Sequence, residues 1–530
     1  MTVLAEHMDK AEGASQPAAQ TAARSGLGRK GGAGMLWMLS ATLLARGSSF
    51  LAQIVLGWLL SQGDFGVYAA AMSVAAVMQG FRDGGARRIL VQKGPSHWEA
   101  LVGPVFWVST GLNLLGAAVL VCAALVLPSL ALLEGSAIAD PRIGGVLFTI
   151  AAAFSISSFE AIAISRLLTQ FRFRDVSAIN MQRAFVQNGM MVVFAVLGFG
   201  PLSFALPVLI ATVTTIALGF ALTRGSVQLR RLGLRMWPAI IGRTKWLLLS
   251  ALGTALLMQG DYLALGVMVE PALLGIYFFS YQIVGQLQIL LAANLNNVLL
   301  PMFSSIQSQR DRFRQNVIKA LRLLSFLGCG AGFGLAVAYP YLERMIWGAK
   351  WESSIVPVQV IAIAFPFRLL WSVFNSVLSS LGQFRKLAAS TLLAGVGVAL
   401  AAGVSGLISA RAETIAAGVG LYFVFGLTGI IAQGLRSVGL TVTDTLKAVW
   451  PSWLLGLVAF TGVYILEGTF AAFGAGALGS FASLISASAL FMGLYFVLMR
   501  CLLTAPLRDL ISFAPKRLER YLRVGMLLRG

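Results

Sequence analysis

Apolar windows of roughly 20 residues, each enough at about 1.5 Å rise per residue to cross about 30 Å of hydrocarbon, recur in this chain from Leu36 to Leu502. Inside a bilayer, backbone amides find no water to bond, so such windows must close their hydrogen bonds internally. The fold class that follows is an all-α integral membrane protein with about 14 transmembrane helices. The windows fall at about 36–61, 65–81, 101–128, 144–166, 176–198, 202–223, 246–268, 272–299, 318–341, 355–381, 387–409, 413–435, 448–467 and 474–500. Of the 530 residues, 58% are hydrophobic and only 11% charged, and the mean hydropathy is +0.83, far from an ordinary soluble domain.

The placement of charge tests this map, because Lys and Arg collect in cytoplasmic loops. Alternating the loops from a cytoplasmic N-terminus puts 34 of the 40 Lys and Arg on the inside. Arg142, Arg344, Lys350 and Arg411 fall outside, and Arg46 and Arg368 fall within windows. The net charge of +20 is therefore a positive-inside signal with affinity for anionic membrane lipids, not a nucleic-acid signal. Both termini are expected in the cytoplasm. Residues 1–34, small, polar and rich in Gly and Ala, read as a disordered lead-in with no signal-peptide core, and the basic run after 503 reads as a cytoplasmic tail.

Little points to an enzyme. His7 and His97 stand apart from carboxylates and cysteines, and Cys122, Cys329 and Cys501 have no metal-ligand spacing. No phosphate-gripping GxxxxGK[ST] loop occurs, and no cofactor is expected. The longest outside loop, about Ser129 to Ile143, is too short to hold a catalytic domain.

Polar residues inside the windows point to transport, since an ionisable group in hydrocarbon is costly and faces a cavity or a partner. Arg46, Glu160, Asp261 and Arg368 are four such groups. Thr42, Arg46, Ser49 and Gln53 are spaced 4, 3, 4, and so are Arg368, Ser372, Asn375 and Ser379, which places each set on one helical face. The second set follows the kink-prone Pro366. Gln282, Gln286 and Asn297 form another polar stripe. Arg46 and Arg368 fall near mid-depth, Asp261 in the outer half and Glu160 near the inner surface. Two readings stand: the arginines meet an anionic substrate such as a pyrophosphate, or one of them pairs with Asp261 to lock helices together.

The chain also repeats itself. FGVYAAAMSV at Phe65–Val74 matches LGIYFFSYQI at Leu274–Ile283, 209 residues later and an even number of windows on. This predicts two parallel, pseudo-symmetric six-helix bundles plus two C-terminal helices, with a site between the halves. The expected organisation is a tail at 1–34, a bundle at 35–223, a basic linker at 224–245, a second bundle at 246–437, extra helices at 438–502 and a tail at 503–530.

Several stretches resemble the polysaccharide-transporter branch of the MOP superfamily, the Wzx-like lipid-linked oligosaccharide flippases. They are Arg46-Gly-Ser-Ser-Phe through Asp64-Phe-Gly-Val-Tyr, Asp83-Gly-Gly-Ala, Gly260-Asp261-Tyr262, Leu274-Gly-Ile-Tyr277, Asn297 through Pro301-Met-Phe-Ser304, and Pro357 through Arg368. The resemblance covers about residues 36 to 390. It implies the MOP flippase fold, two bundles around a cavity that opens alternately to either side of the bacterial inner membrane. It further implies an undecaprenyl-diphosphate-linked oligosaccharide as cargo, for exopolysaccharide, capsule or O-antigen assembly, with a polysaccharide polymerase and export machinery downstream. On this reading Arg46 and Arg368 meet the diphosphate or acidic sugars. Ser49, Gln53, Gln282, Gln286, Ser372 and Asn375 bond sugar hydroxyls, and Asp261 and Glu160 balance charge or take up H+ or Na+. A multidrug exporter on the same fold, and a lipid-carrier-dependent polymerase or transferase, are the alternatives.

Overall fold

The computed structural model describes residues 44–79, 90, 98–130, 134–223, 237–292, 295–466, 477–503 and 506. The tail expected at 1–34, linker residues 224–236 and tail residues 507–530 lie outside the described residues. The helices are α1 (44–59), α2 (Gln62–Gln79), α3 (Trp98–Val126), α4 (Ile143–Thr169), α5 (Phe173–Val196) and α6 (Leu202–Thr223). There follow α7 (Trp237–Met268), α8 (Pro271–Ala292), α9 (Leu295–Ile306), α10 (Arg310–Trp347), α11 (Ile355–Leu369), α12 (Trp371–Ser380) and α13 (Phe384–Ile408). The chain closes with α14 (Ala412–Leu421), α15 (Thr428–Leu435), α16 (Val442–Ile465) and α17 (Ala477–Leu502).

No strand occurs among the described residues. Eleven segments are long and apolar enough to cross a membrane, and α1, α2 and α5 complete one helix for each sequence window. The last two are more polar, α2 opening on Gln62 and Asp64 and α5 carrying Arg174, Asp175, Gln182 and Arg183. Four windows differ from their reading. The eighth, read as 272–299, covers α8 and the start of α9, with 293–294 outside the described residues. Helices α7 and α10 start at Trp237 and Arg310 rather than 246 and 318, running on as basic helix beyond the apolar stretch. The tenth window breaks at Leu370 between α11 and α12.

Helices α3–α6 pack chiefly on one another, as do α7 and α9–α15, α2 and α8 pack chiefly on each other across the two groups, and α16 and α17 lie against α10; α1 bonds to α5 through Ser48 and Asn188. We call α1–α6 the N-lobe and α7–α15 the C-lobe. Lipid tails are as apolar as the side chains, so helices in hydrocarbon associate where small residues let backbones approach. The seam of α7 and α13 shows this: a Cβ on Gly253 would press on the backbone at Thr391 and Leu392, and one on Gly395 on Leu256 and the Gly253 carbonyl.

The lobes meet through α2 and α8. A Cβ on Gly66 would overlap the Pro271 carbonyl, and one on Gly275 would overlap the Gln62 carbonyl. Gly66 and Gly275, like Gln62 and Pro271, are 209 positions apart, the period of the sequence repeat, so the two copies touch reciprocally across a pseudo-two-fold axis.

Around that crossing the C-lobe donates to carbonyls of the last turns of α1 and of Leu60 just beyond it, some of which have no partner within the helix. Trp347 Nε1 donates to Ile54 O at 3.1 Å, Trp351 Nε1 to Gly57 O at 3.0 Å, and Lys350 Nζ to the carbonyls of Trp58 and Leu60 at 2.8 Å each. The turn presenting these donors holds Gly348 at φ 62° and Ala349 at φ 68°, a left-handed pair in which the alanine is strained. The buried Glu343 carboxylate fixes the turn by accepting the Trp351 amide at 2.8 Å. Ala137 N donates to Val269 O across the lobes at the same end, at 2.8 Å. We call it the closed end, and the opposite end, where the Lys- and Arg-rich segments cluster, the basic end.

Arg142 braces the closed end by joining Asp64 at 2.8 Å and Asp140 at 3.0 Å. Burial raises the Asp140 carboxyl, but the hydrogen bonds and charge of Arg142 outweigh it and hold the group below the usual carboxylate value of 3.8. A depressed carboxylate contributes stability that is fully present above its unfolded value and is lost as pH falls through the folded one. Thermal stability should therefore fall below about pH 4, less so for Asp140→Asn, as a melting series over pH will show. Gly66→Ala and Gly275→Ala should each lower the melting temperature of the purified protein, overpacking costing about 1–3 kcal/mol against a helix-propensity gain of about 0.5–1. Gly189→Ala and Gly285→Ala, where a Cβ meets nothing within 4 Å, should not lower it.

Candidate functional site

In the C-lobe a carboxylate and a guanidinium share an aromatic compartment. Gly260 turns the backbone of α7 toward Ala399 and Gly395 of α13, so the next residue, Asp261, points around the helix toward α8 and α11. Its side chain is 2% exposed. Tyr277 Oη donates to Asp261 Oδ2 at 3.0 Å, and the Tyr262 amide donates to Oδ1 at 3.0 Å. Tyr281, one turn along α8 from Tyr277, closes the compartment, with ring centroids 5.4 Å from Tyr277 and 5.9 Å from Tyr262.

Arg368 enters from the end of α11, its guanidinium 5.0 Å from the Tyr281 ring and 5.6 Å from that of Phe423, with Nη2 on Met258 Sδ at 3.2 Å. It attracts Asp261 electrostatically without an ion pair at bonding distance. Its Nε is buried with no hydrogen-bond partner. Cation–π contacts of this kind contribute about 0.5–2 kcal/mol each, less than bonding a buried charge to its counter-ion, so the arginine is held but not saturated.

Local sequence explains how Arg368 gets there. Pro366 has no amide proton to close the helical bond to Ala362, and Gly332 of α10 leaves room for that freed carbonyl, which a Cβ would overlap. Trp453 Nε1 caps the neighbouring Ile363 carbonyl at 2.9 Å. The helix then breaks at Leu370.

The other sequence candidates divide among three places. On α8, Gly275, Phe279, Gln282 and Gln286 are spaced 4, 3, 4 and share a face. Gly275 meets Gly66, and Phe279 stacks at 3.8 Å on Trp351, itself bonded to α1, so the half-buried Gln282 and Gln286 continue this lobe-facing stripe toward the basic end. Ser372 and Asn375 on α12 are bonded locally, Ser372 Oγ donating to Leu369 O at 2.7 Å and Asn375 Oδ1 accepting from Ser379 at 3.2 Å.

In the N-lobe, Arg46 and Ser49 are half-buried on α1, and the buried Gln53 leaves its Nε2 without a partner. Glu160 lies nine residues inside α4, deeper than the inner-surface placement read from the sequence, and forms an ion pair with Arg183 of α5. Asp261 and Arg368 thus converge, while Arg46 belongs to the other lobe. Sequence reasoning missed Tyr277, Tyr281, Met258 and Phe423. It also counted Arg183 among the inside charges although the residue falls within the 176–198 window, where it is the eleventh residue of α5.

With this geometry in view, the comparisons define first a class of protein. The fold aligns with lipid II flippase MurJ in an inward closed conformation, at TM-score 0.66 and 14% identity over 88% of this chain and 99% of that one. It aligns also with an inward-facing multidrug resistance MATE family transporter of the MOP superfamily, at TM-score 0.58 and 14% identity over 76% of this chain and 98% of that one. This is the MOP fold, two pseudo-symmetric six-helix bundles with two further helices. At such identities the likeness speaks for the fold and not the cargo.

Residues 55–357 match the polysaccharide biosynthesis protein family, and the chain belongs to that family. It is 24% identical to lipopolysaccharide biosynthesis protein WzxC of Escherichia coli (strain K12) over 353 residues, 65% of this chain and 69% of that one.

Asp261 and Arg368 form a mutually dependent pair. Asp261→Asn should lower the melting temperature by stranding Arg368. Asp261→Asn with Arg368→Met should recover much of the loss, giving a coupling of about 1–3 kcal/mol in a double-mutant cycle of thermal unfolding.

Proposed function

We propose that the protein flips undecaprenyl-diphosphate-linked oligosaccharide repeat units across the bacterial inner membrane by alternating access, for exopolysaccharide, capsule or O-antigen assembly. Membership of the polysaccharide biosynthesis family together with hydrogen bonds that join the lobes at the closed end is the observation that carries this reading. By the positive-inside rule the basic end faces the cytoplasm, with both termini there, and the closed end faces outward. Cargo built by cytoplasmic glycosyltransferases enters from the basic end. Separation of α2 from α8 and of α1 from the Trp347–Trp351 turn then releases it outward, toward a polymerase and export machinery.

A diphosphate and several sugars cannot cross hydrocarbon unaided. Arg46, with Ser49 and Gln53 on one lobe and Gln282 and Gln286 on the other, would receive them. Ser372 and Asn375 would join after exchanging their local bonds. Asp261 couples the cycle to H+ or Na+, because a change of its charge alters its hold on Tyr277 and Arg368 and so the packing of α7, α8 and α11. A multidrug exporter is the second reading, supported by the likeness to the MATE fold. An acidic cavity suited to organic cations would favour it, and the cationic pair Arg46 and Arg368 disfavours it.

Deleting the gene and measuring secreted polymer with the sidedness of the lipid-linked repeat unit tests this. Loss of polymer with the unit stranded on the cytoplasmic face, restored by wild type but not by Arg46→Ala or Asp261→Ala, is expected. Unchanged polymer and sidedness in a strain lacking a second flippase would reject the flippase and favour efflux.

A further inference from the structure

A covered carboxylate lies under the turn that holds the closed end shut. Glu343, near the end of α10, is fully buried. Its Oε1 accepts the Trp351 amide at 2.8 Å, but Oε2 is buried without a hydrogen-bond partner. The groups nearby do not neutralise it. The repulsion from the Glu352 carboxylate exceeds the attraction of Arg344. Tyr339, one turn earlier on α10, pairs its hydroxyl with Ser354 Oγ at 2.7 Å, and Ser354 Oγ donates to Trp351 O at 2.6 Å, so both hydroxyls are engaged elsewhere.

The residue bonded to Glu343 is held by both lobes. Trp351, itself fully buried, stacks at 3.8 Å on Phe279 of α8, meets Phe65 of α2 edge-on at 5.1 Å, and donates from Nε1 to Gly57 O of α1 at 3.0 Å. The same turn carries Ala349 at φ 68°, a backbone state that costs a residue with a Cβ and that recurs where chains switch. Two unfavourable features, a covered charge with a single bond and a left-handed alanine, thus sit in the segment that joins the lobes.

We infer that Glu343 is a positioning residue of the closed end that also makes it releasable: it sets the Trp347–Trp351 turn against α1, and its uncompensated charge disfavours the closed state. The inference rests on the alternating-access reading above and names the residue that balances its two states. When the lobes part, Trp351 loses Phe65 and Gly57, the turn lifts, and water reaches the carboxylate. An ionised carboxylate covered with one bond is far less stable than in water, so opening sheds a cost that closing imposes. A charged acceptor does bond an amide more strongly than a neutral one, but one such bond does not offset the covered charge. Glutamine at 343 keeps an oxygen for the Trp351 amide and covers a neutral group in place of the charge. Removing the charge therefore favours the closed state, whereas removing a plain structural pin would loosen it.

The test uses the full chain in nanodiscs, with the exposed Cys122 and Cys501 replaced by Ser and spin labels on Leu197→Cys and Ile408→Cys, exposed positions at the closed-end termini of α5 and α13. Pulsed electron–electron double resonance then reads the ratio of long, open distances to short, closed ones, with and without undecaprenyl diphosphate. Glu343→Gln should lower that ratio about tenfold. Glu352→Gln, which removes the repelling neighbour, should lower it by less. Glu343→Ala, which strands the Trp351 amide as well, should give a higher ratio than Glu343→Gln. A ratio unchanged or raised by Glu343→Gln overturns the inference while leaving the flippase reading intact. A single closed distance in the unsubstituted Glu343 protein, with and without undecaprenyl diphosphate, overturns alternating access and this inference with it.

Discussion

The crossing of α2 and α8 is the contact from which the rest of the molecule is arranged. Two glycines 209 residues apart, Gly66 and Gly275, let each helix set its backbone against the first-turn carbonyl of the other. Because the contact is reciprocal, it fixes the pseudo-two-fold axis and the relative tilt of both bundles at once. The Trp347, Lys350 and Trp351 bonds to the end of α1 then have a rigid frame on which to close. These bonds are directional and few, and the turn that supplies them includes a left-handed alanine. Beneath them the crossing is apolar, with Phe65 packed on Phe278, Phe279 and Trp351 and Tyr68 on Phe278.

Charge inside hydrocarbon is the second constraint, and the chain meets it differently in each lobe. The C-lobe wraps Asp261 in tyrosine hydroxyl and amide donors and keeps Arg368 over aromatic faces, where it is attracted but not paired at bonding distance. The N-lobe closes Glu160 directly on Arg183. The first arrangement is responsive to the charge of a single carboxylate. The second ties α4 to α5 through an ion pair.

Much of the fold was legible in the sequence because hydrocarbon imposes a length and a polarity that composition cannot hide. The fourteen windows follow from that, and the 209-residue repeat from the match of Phe65–Val74 with Leu274–Ile283. The helix break after Arg368 was only half visible: Pro366 signals a weak point, but its position at Leu370 depends on Gly332 and Trp453 arriving from α10 and α16. Tyr277 and Tyr281, four apart in an apolar run, read as ordinary packing until Asp261 is seen against them. Ser372 and Asn375 share the face of Arg368 by spacing, yet their hydroxyl and amide are spent on local bonds that spacing does not reveal. Arg183 escaped because it was grouped with the basic residues just before its window, whereas α5 is already helical from Phe173.

Translocation itself is best measured with the purified chain in liposomes carrying a lipid-linked oligosaccharide on one leaflet, its sugars trimmed by an added glycosidase that cannot cross the bilayer. Wild type should bring the protected fraction to cleavage, and a variant with a disulfide engineered across the α2–α8 crossing should do so only after reduction. Cleavage in wild-type liposomes no faster than in protein-free ones would contradict a flippase.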